Sequence, residues 1–295
     1  MVTSKKSKSD IVFDVVNTLL IALVLVVVLY PLYFIVIASF SDPTLVASGQ
    51  IRLIPKGISF EGYRYTFLDS EIWRGSANSA FYTILGTSIC LACTLPAAYA
   101  LSRPNLVGGS VLMKLITFTM FFSGGLIPSY LLVQKLNLYN TVWAITLPFA
   151  VNVYNLIISR SFMRENIPNE LHEAAQLDGC GDIWFFYRVV IPLSKPVICV
   201  LLMMYAVEHW NSYFYSLIYL KDRELFPLQM ILRERLIQTE MVGSMGGDAT
   251  VMQMQQVANM IKYCVIIVSS LPLLILYPFI QKYFEKGLTI GAVKG

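Results

Sequence analysis

Glu173, Ala174, Ala175 and Gly179, followed by Val189, Ile191 and Pro192, belong to a polar stretch, EAAQLDGCGDIWFFYRVVIP, set between strongly apolar segments. The chemistry these residues can do is that of a joint rather than of a reaction centre. Leu171, Ala174, Ala175 and Asp178 share one side of a helix by three- and four-residue spacing. The two alanines leave room for another surface to approach, with Glu173 and Asp178 as charges at its rim. Pro168 near the helix start loses no needed hydrogen bond, and Glu170 in the first turn complements the helix dipole. Gly179 is the residue best able to take the left-handed backbone that ends a helix. Asp182 then caps a second short helix expected to end before Pro192, with Phe185 and Phe186 turned toward the apolar side. The expectation is a helix-turn-helix over 164–195. A re-entrant loop that merely connects two apolar segments is the blander alternative.

A second set of polar residues lies inside apolar segments. Glu208 falls near the middle of one of them, where a charge costs at least about 2.5 kcal/mol and so faces a polar interior or marks a pathway. Met204, Asn211 and Tyr215 share its face, and His209, Trp210 and Ser212 flank it. Asn152, Asn155 and Ser159 line one side of the preceding segment. Amides, a carboxylate and aromatic rings together suit sugar hydroxyls and sugar faces, so Asn152, Asn155, Glu208, Trp210, Asn211 and Tyr215 are candidate pathway residues. The competing reading is ordinary hydrogen bonding between membrane helices, with Glu208 paired to His209 or to a partner subunit.

Other reactive patterns are missing. No G-x-x-x-x-G-K-[ST] sequence occurs, nor H-E-x-x-H, nor G-x-S-x-G. The chain is therefore expected to be no enzyme, with no catalytic residue, bound cofactor or metal of its own. Cys90-x-x-Cys93 has no second Cys or His pair beside it and reads as small-residue packing. The 5 cysteines suggest no extracellular disulfide framework.

The elements that must position these residues are membrane helices. The 295 residues are 56% hydrophobic and only 14% charged, against about 25% charged in soluble domains. A bilayer core needs about 20 predominantly apolar residues per helix. Six stretches qualify: Val15–Phe40, Ala77–Leu101, Leu115–Val133, Val142–Phe162, Val197–Leu220 and Val257–Ile280. Continuous helix is the expected form, because backbone groups in lipid must be satisfied within the segment. The fold class is thus all-α, a polytopic membrane protein of six transmembrane helices. It divides into a cytoplasmic segment 1–14, a transmembrane domain 15–281 and a cytoplasmic tail 282–295.

Lys5, Lys6 and Lys8 precede a run too long for a cleaved signal peptide. With the Arg160, Arg164, Arg188 and Lys195 cluster they place both termini in the cytoplasm, although Lys and Arg are nearly evenly divided between the two sides. Arg103 is placed to snorkel at the inner face. Net charge of +4 is modest and says little about partners, among which no nucleic acid is expected. Segments 41–74 and 221–256 are outer loops. In the second, PLQMILRERL reads as an amphipathic helix and GSMGGD as a flexible connection.

The spacing E-A-A, three residues, G, nine residues, I-x-L-P resembles the loop of ATP-binding-cassette (ABC) importer permeases, with Val189 and Ile191 standing where that family usually has Ile and Leu. LPAAYALSR (95–103), Trp210-Asn211, PLQMILR and the tail QKYFEKGLTIGAVKG narrow the resemblance to the carbohydrate-uptake, MalG-like class and its LplC/YtcP-like branch. The resemblance covers essentially the whole chain. It implies a type I transmembrane domain whose loop docks as a coupling helix on an ATPase through Glu173, Ala174, Ala175, Asp178, Gly179 and Pro192. The tail residues Gly291, Lys294 and Gly295 would reach the ATPase dimer interface.

The implied partners are a second homologous permease, a dimer of cytosolic ATPase subunits carrying ATP and Mg2+, an extracytoplasmic solute-binding protein, an oligosaccharide and the lipid bilayer. The implied location is the cytoplasmic membrane of a prokaryote. The branch is associated with complex, including uronide-containing, oligosaccharides, and Arg223, Arg233 and Arg235 would suit an acidic sugar or an acidic patch on the binding protein. The alternative class is a secondary transporter driven by an ion gradient, which has no use for the Gly179/Pro192 loop.

Overall fold

The computed structural model describes residues 7–244, 261–275 and 278. The GSMGGD connection from 245 onward, Lys5, Lys6 and the tail 282–295 lie outside the described residues, and with them Gly291, Lys294 and Gly295. Every regular element among the described residues is helical. In chain order these are α1 (Lys8–Ser39), α2 (Pro43–Ala47), α3 (Glu61–Leu68), α4 (Ser70–Ser102), α5 (Gly109–Phe121) and α6 (Leu126–Lys135). They continue with α7 (Val142–Thr146, extended by a 3-10 turn to Phe149), α8 (Val153–Asn166), α9 (Asn169–Leu177) and α10 (Asp182–Leu193). The last are α11 (Lys195–Trp210), α12 (Phe214–Tyr219), α13 (Leu228–Ser244) and α14 (Ile261–Ile275).

The chain forms two compact units, Met1–Asp69 with Glu234–Val268, and Ser70–Arg233 with Ser269–Gly295. In the first, α1 is apolar on all sides and exposed from Ile11 to Leu32, as expected of a helix whose solvent is lipid. Only its end is buried, at Ile37, Ala38 and Ser39. Tyr33 donates to Leu53 O at 2.6 Å, which lays the following loop along the helix. Ser39 Oγ and Tyr63 OH are 2.9 Å apart, and the Cys264 thiol donates to Ser39 O at 3.5 Å. Asp42 caps α2, accepting from the amide and hydroxyl of Thr44, and those two bonds hold its carboxyl below the usual carboxylate range.

The second unit is organised around α4. Gly75, Ser79, Gly86, Cys90, Thr94 and Ala98 recur along it at four- and seven-residue steps and are all buried. Small residues on one stripe let neighbouring helices come close, and α8 and α11 take that place. The approach is close at Gly86: a Cβ there would lie 2.5 Å from Cε1 and Nε2 of His209. Two polar pairs tie this contact together, in a setting where lipid offers no alternative partner. Thr94 Oγ1 meets Tyr205 OH at 2.8 Å, and the Cys90 thiol donates to Phe149 O at 3.3 Å. Leu156, Met163, Phe185, Val190 and Leu201 close the core.

Among the described residues, α1 and α4 are the single helices long and apolar enough to cross a membrane. The expectation of continuous spans fails in the third, fourth and fifth stretches. The third stretch breaks between α5 and α6 with a bend of 112°, at Gly124-Gly125, where Gly125 has φ +86°. The fourth bends by 46° between α7 and α8, where Pro148 stops the first helix and Asn152 caps the next, accepting from the amides of Tyr154 and Asn155. The fifth ends at Trp210, short of Leu220, and at its C-cap both the backbone amide and the side-chain amide of Asn211 donate to Val207 O, at 3.1 and 2.9 Å.

Candidate functional site: the loop between α8 and α11

The α9–turn–α10 segment forms as the residue types require. Pro168 is the N-cap of α9, where its missing N–H leaves nothing unpaired. At the other end Gly179 has φ +77°, its amide donates to Gln176 O at 3.0 Å, and the amide of Cys180 donates to Ala175 O at 2.8 Å. That pair of bonds is a Schellman C-cap, which needs a left-handed residue at the glycine position. No atom lies within 4 Å of where a Gly179 side chain would begin, so the glycine is required by backbone and not by space.

The second helix departs from expectation. Gly181, not Asp182, is its N-cap, and the helix runs through Pro192 to Leu193 instead of ending before it. Phe186–Val190 is a π turn. Proline has no N–H and its ring would strike the carbonyl four residues back. A widened turn directly before Pro192 accommodates both faults within one helix. The break falls two residues later, at Ser194, where α10 and α11 meet at 80°.

The loop is rooted by its aromatic residues. Phe185 is fully buried and Phe186 nearly so, and the Phe186 ring lies 5.4 Å from the Tyr99 ring of α4. His172 of α9 is edge-on to Phe185 at 5.0 Å, and its Nε2 meets Asp182 Oδ1 at 2.8 Å, joining the two helices. Arg103, directly after α4, reaches the entry to α9, donating to Ile167 O at 3.3 Å.

The surface left over is not the one the spacing suggests. Ala175 is half-buried against the chain's own core, so it does not share an open face with Ala174. Glu173, Ala174, Asp178, Gly179 and Pro192 are exposed. Beside them stand Leu177, 90% exposed, Ile183, 75%, and Trp184, 60%, with Arg188 over the Trp184 ring at 4.7 Å. These apolar residues escaped the sequence reading, although Ile183-Trp184-Phe185-Phe186 held the signal: four consecutive apolar residues on a helix cannot all face one side.

The candidate pathway residues divide. Trp210 is buried and donates from Nε1 to Ser269 O at 3.1 Å, which commits it to the interior of its unit. Asn152 is spent on capping α8, and Ser159 donates back to Asn155 O at 2.6 Å. Asn155 is 1% exposed and its side-chain oxygen has no protein partner. Glu208 and Asn211 are exposed, and Asn211 Oδ1 accepts from Gln229 at 3.3 Å. Tyr215 meets Phe149 with ring centroids 4.1 Å apart, which brings the end of the fifth stretch to the bend in the fourth. His209 faces Cys90, 3.5 Å from its sulfur, rather than Glu208. Among the described residues no group of three or more His, Cys, Asp or Glu could hold a metal ion.

The three outer arginines are engaged. Arg223 forms a two-pronged pair with Glu71, at 2.5 and 3.0 Å. Arg235 meets Asp69 at 2.9 Å, and Arg233 lies over the Tyr213 ring at 4.7 Å.

A family model described as "Binding-protein-dependent transport system inner membrane component" matches residues 2–290. Protein LplC of Bacillus subtilis (strain 168) is 39% identical over 293 residues, 99% of this chain and 98% of that protein. The polygalacturonan/rhamnogalacturonan transport system permease protein YtcP of the same organism is 41% identical over 267 residues, 90% of this chain and 92% of its own. The crystal structure of a bacterial ABC transporter involved in import of the acidic polysaccharide alginate contains a chain similar in fold, with TM-score 0.86 and 32% identity, covering 96% of this chain and 100% of that one.

Proposed function

The chain belongs to the inner membrane components of binding-protein-dependent transport systems, and on that premise we propose that it is one permease half of an ABC importer carrying an acidic oligosaccharide. It works with a second permease, a cytosolic ATPase dimer that holds ATP and Mg2+, and a binding protein that delivers the sugar. The α9–α10 loop is the coupling device, gripped through Glu173, Ala174, Asp178 and the exposed apolar edge of Leu177, Ile183 and Trp184. Ala175, Gly179 and Pro192 shape it from within. The tail residues Gly291, Lys294 and Gly295 add a second contact at the ATPase interface.

One observation carries this reading: a helical pair anchored in the core through Phe185 and Phe186 presents large apolar side chains outward. Exposed apolar residues rimmed by charge mark a protein or membrane contact, and the charges of Glu173, Asp178 and Arg188 beside them favour a protein. The 80° turn at Ser194 supports a loop lying along the membrane face while α11 crosses. Six crossings are then α1, α4, the bent pairs α5–α6 and α7–α8, α11, and the segment holding α14. ATP-driven closure of the ATPases would move the loops and bias the pore between inward- and outward-facing states.

The acidic sugar rests on the printed descriptions of two relatives. Arg223 and Arg235 are already paired with carboxylates, so they are poor candidates for reading its charge. Asn155, Glu208, Asn211 and Tyr215 remain the pathway residues proposed, while Asn152 and Trp210 serve by holding helix ends. Uptake of an oligogalacturonide by proteoliposomes holding the complete complex tests the function. Uptake that needs ATP inside and survives an ionophore supports it. Uptake abolished by the ionophore with ATP present would instead identify a gradient-driven carrier.

A further inference from the structure

Arg103, Arg160 and Arg164 line one cavity of about 680 Å3 where the ends of α4 and α8 meet the start of α5, and no carboxylate is among the residues around it. Guanidinium groups that share a space repel one another unless an anion lies between them. The partners these arginines have are neutral. Arg160 Nε donates to Leu101 O at 2.9 Å, and Arg103 donates to Ile167 O at 3.3 Å and to Asn169 Oδ1 at 3.5 Å. Arg103 Nε is buried without any partner. Two of the guanidinium groups are therefore held in place by backbone oxygens with donors to spare, the arrangement that suits the oxygens of a phosphate.

Two further features raise the positive potential. Ser110, in the first turn of α5, lines the same cavity, and no side chain caps that helix. Lys114 lies one turn further along and shares an adjoining cavity with Arg160. Past the charged end, α5 exposes Val111, Leu112 and Leu115, at 62%, 47% and 60%. A free anion has no use for that surface, whereas a molecule with a charged head and apolar chains does. We propose that the cavity holds the phosphate group of an anionic glycerophospholipid, with its acyl chains along Val111, Leu112 and Leu115. This rests on the chain being a membrane protein and not on how it couples to ATP.

Native mass spectrometry of the intact complex, released from nanodiscs of phosphatidylcholine with roughly one-fifth phosphatidylglycerol, tests it. Wild type should retain phosphatidylglycerol in preference to phosphatidylcholine. The Arg160→Gln/Arg164→Gln pair should retain about tenfold less, and Arg160→Lys/Arg164→Lys most of it. Ser110→Glu, an exposed change that puts a carboxylate at the cavity, should also lose the lipid, and it serves if the Gln pair fails to fold. Added inorganic phosphate should displace nothing. Equal retention of both lipids, or unchanged retention in the variants, would overturn the assignment. So would displacement by phosphate, which indicates a soluble-anion site, or loss of the ATPase from the Gln pair with the lipid kept, which indicates a protein contact.

Discussion

His172 Nε2 and Asp182 Oδ1, 2.8 Å apart, bridge the two helices of the loop across Gly179. The backbone turn sets the angle between α9 and α10, and this contact resists its opening. A push on α9 can then travel into α10 and on to the core at Phe185. A hydrogen bond of this kind contributes on the order of 1 kcal/mol. Asp182→Ala should therefore leave the permease folded and assembled while weakening coupling several-fold. The ratio of ATP hydrolysis with and without sugar-loaded binding protein measures it, and an unchanged ratio would remove the contact from the pathway.

At Gly179 the backbone and the surrounding space make separate demands. Open space surrounds the position, so Gly179→Ala meets only the left-handed backbone penalty, about 1 kcal/mol. Uptake should persist at reduced rate. Gly179→Pro cannot take φ +77° and loses the amide bond to Gln176 O. Membrane insertion should continue in that variant while uptake stops. Uptake in cells, corrected for permease in the membrane fraction, separates the two.

Gly86 is a position of contact rather than of conformation. A side chain there enters the His209 ring, and forcing atoms into a packed contact costs about 1–3 kcal/mol. Gly86→Val should lower the melting temperature of the purified permease. Gly86→Val with His209→Ala should recover part of the loss, because the cavity admits the added methyls. No recovery would mean that the α4–α11 contact is set elsewhere.

Trp210 and Glu208 are two residues apart and should behave oppositely. Trp210→Ala removes a buried ring and its bond to Ser269, a loss of roughly 3–5 kcal/mol by comparison with other buried aromatics. It should reduce the amount of folded permease. Glu208→Gln changes an exposed group and should leave the amount unchanged but alter uptake. Unchanged uptake at normal abundance would take Glu208 out of the pathway.

The parts of this fold legible in the sequence are those fixed by local chemistry. Gly179 as a left-handed cap, Pro168 at a helix start and the apolar length of α1 follow from residue type alone. The α5–α6 break was legible too, in Gly124-Gly125, but apolar length concealed it. Ala174 and Ala175 could not be assigned to inside and outside by spacing, because a three- to four-residue period gives a face and not what covers it. The same limit hid Leu177 and Trp184, whose exposure depends on which neighbour claimed Phe185. Arg223 and Arg235 looked free only because Glu71 and Asp69 are more than 150 residues away in the chain.

The central claim is that Leu177 and Trp184 face the ATPase. Its most direct test is the amount of ATPase subunit that stays on the tagged permease complex when both are changed to Asp. Both side chains are more than half exposed, so the change leaves the core intact. We predict that the ATPase is lost while the second permease is retained. A full complement of ATPase, with ATP-driven uptake at the wild-type rate, would contradict the account.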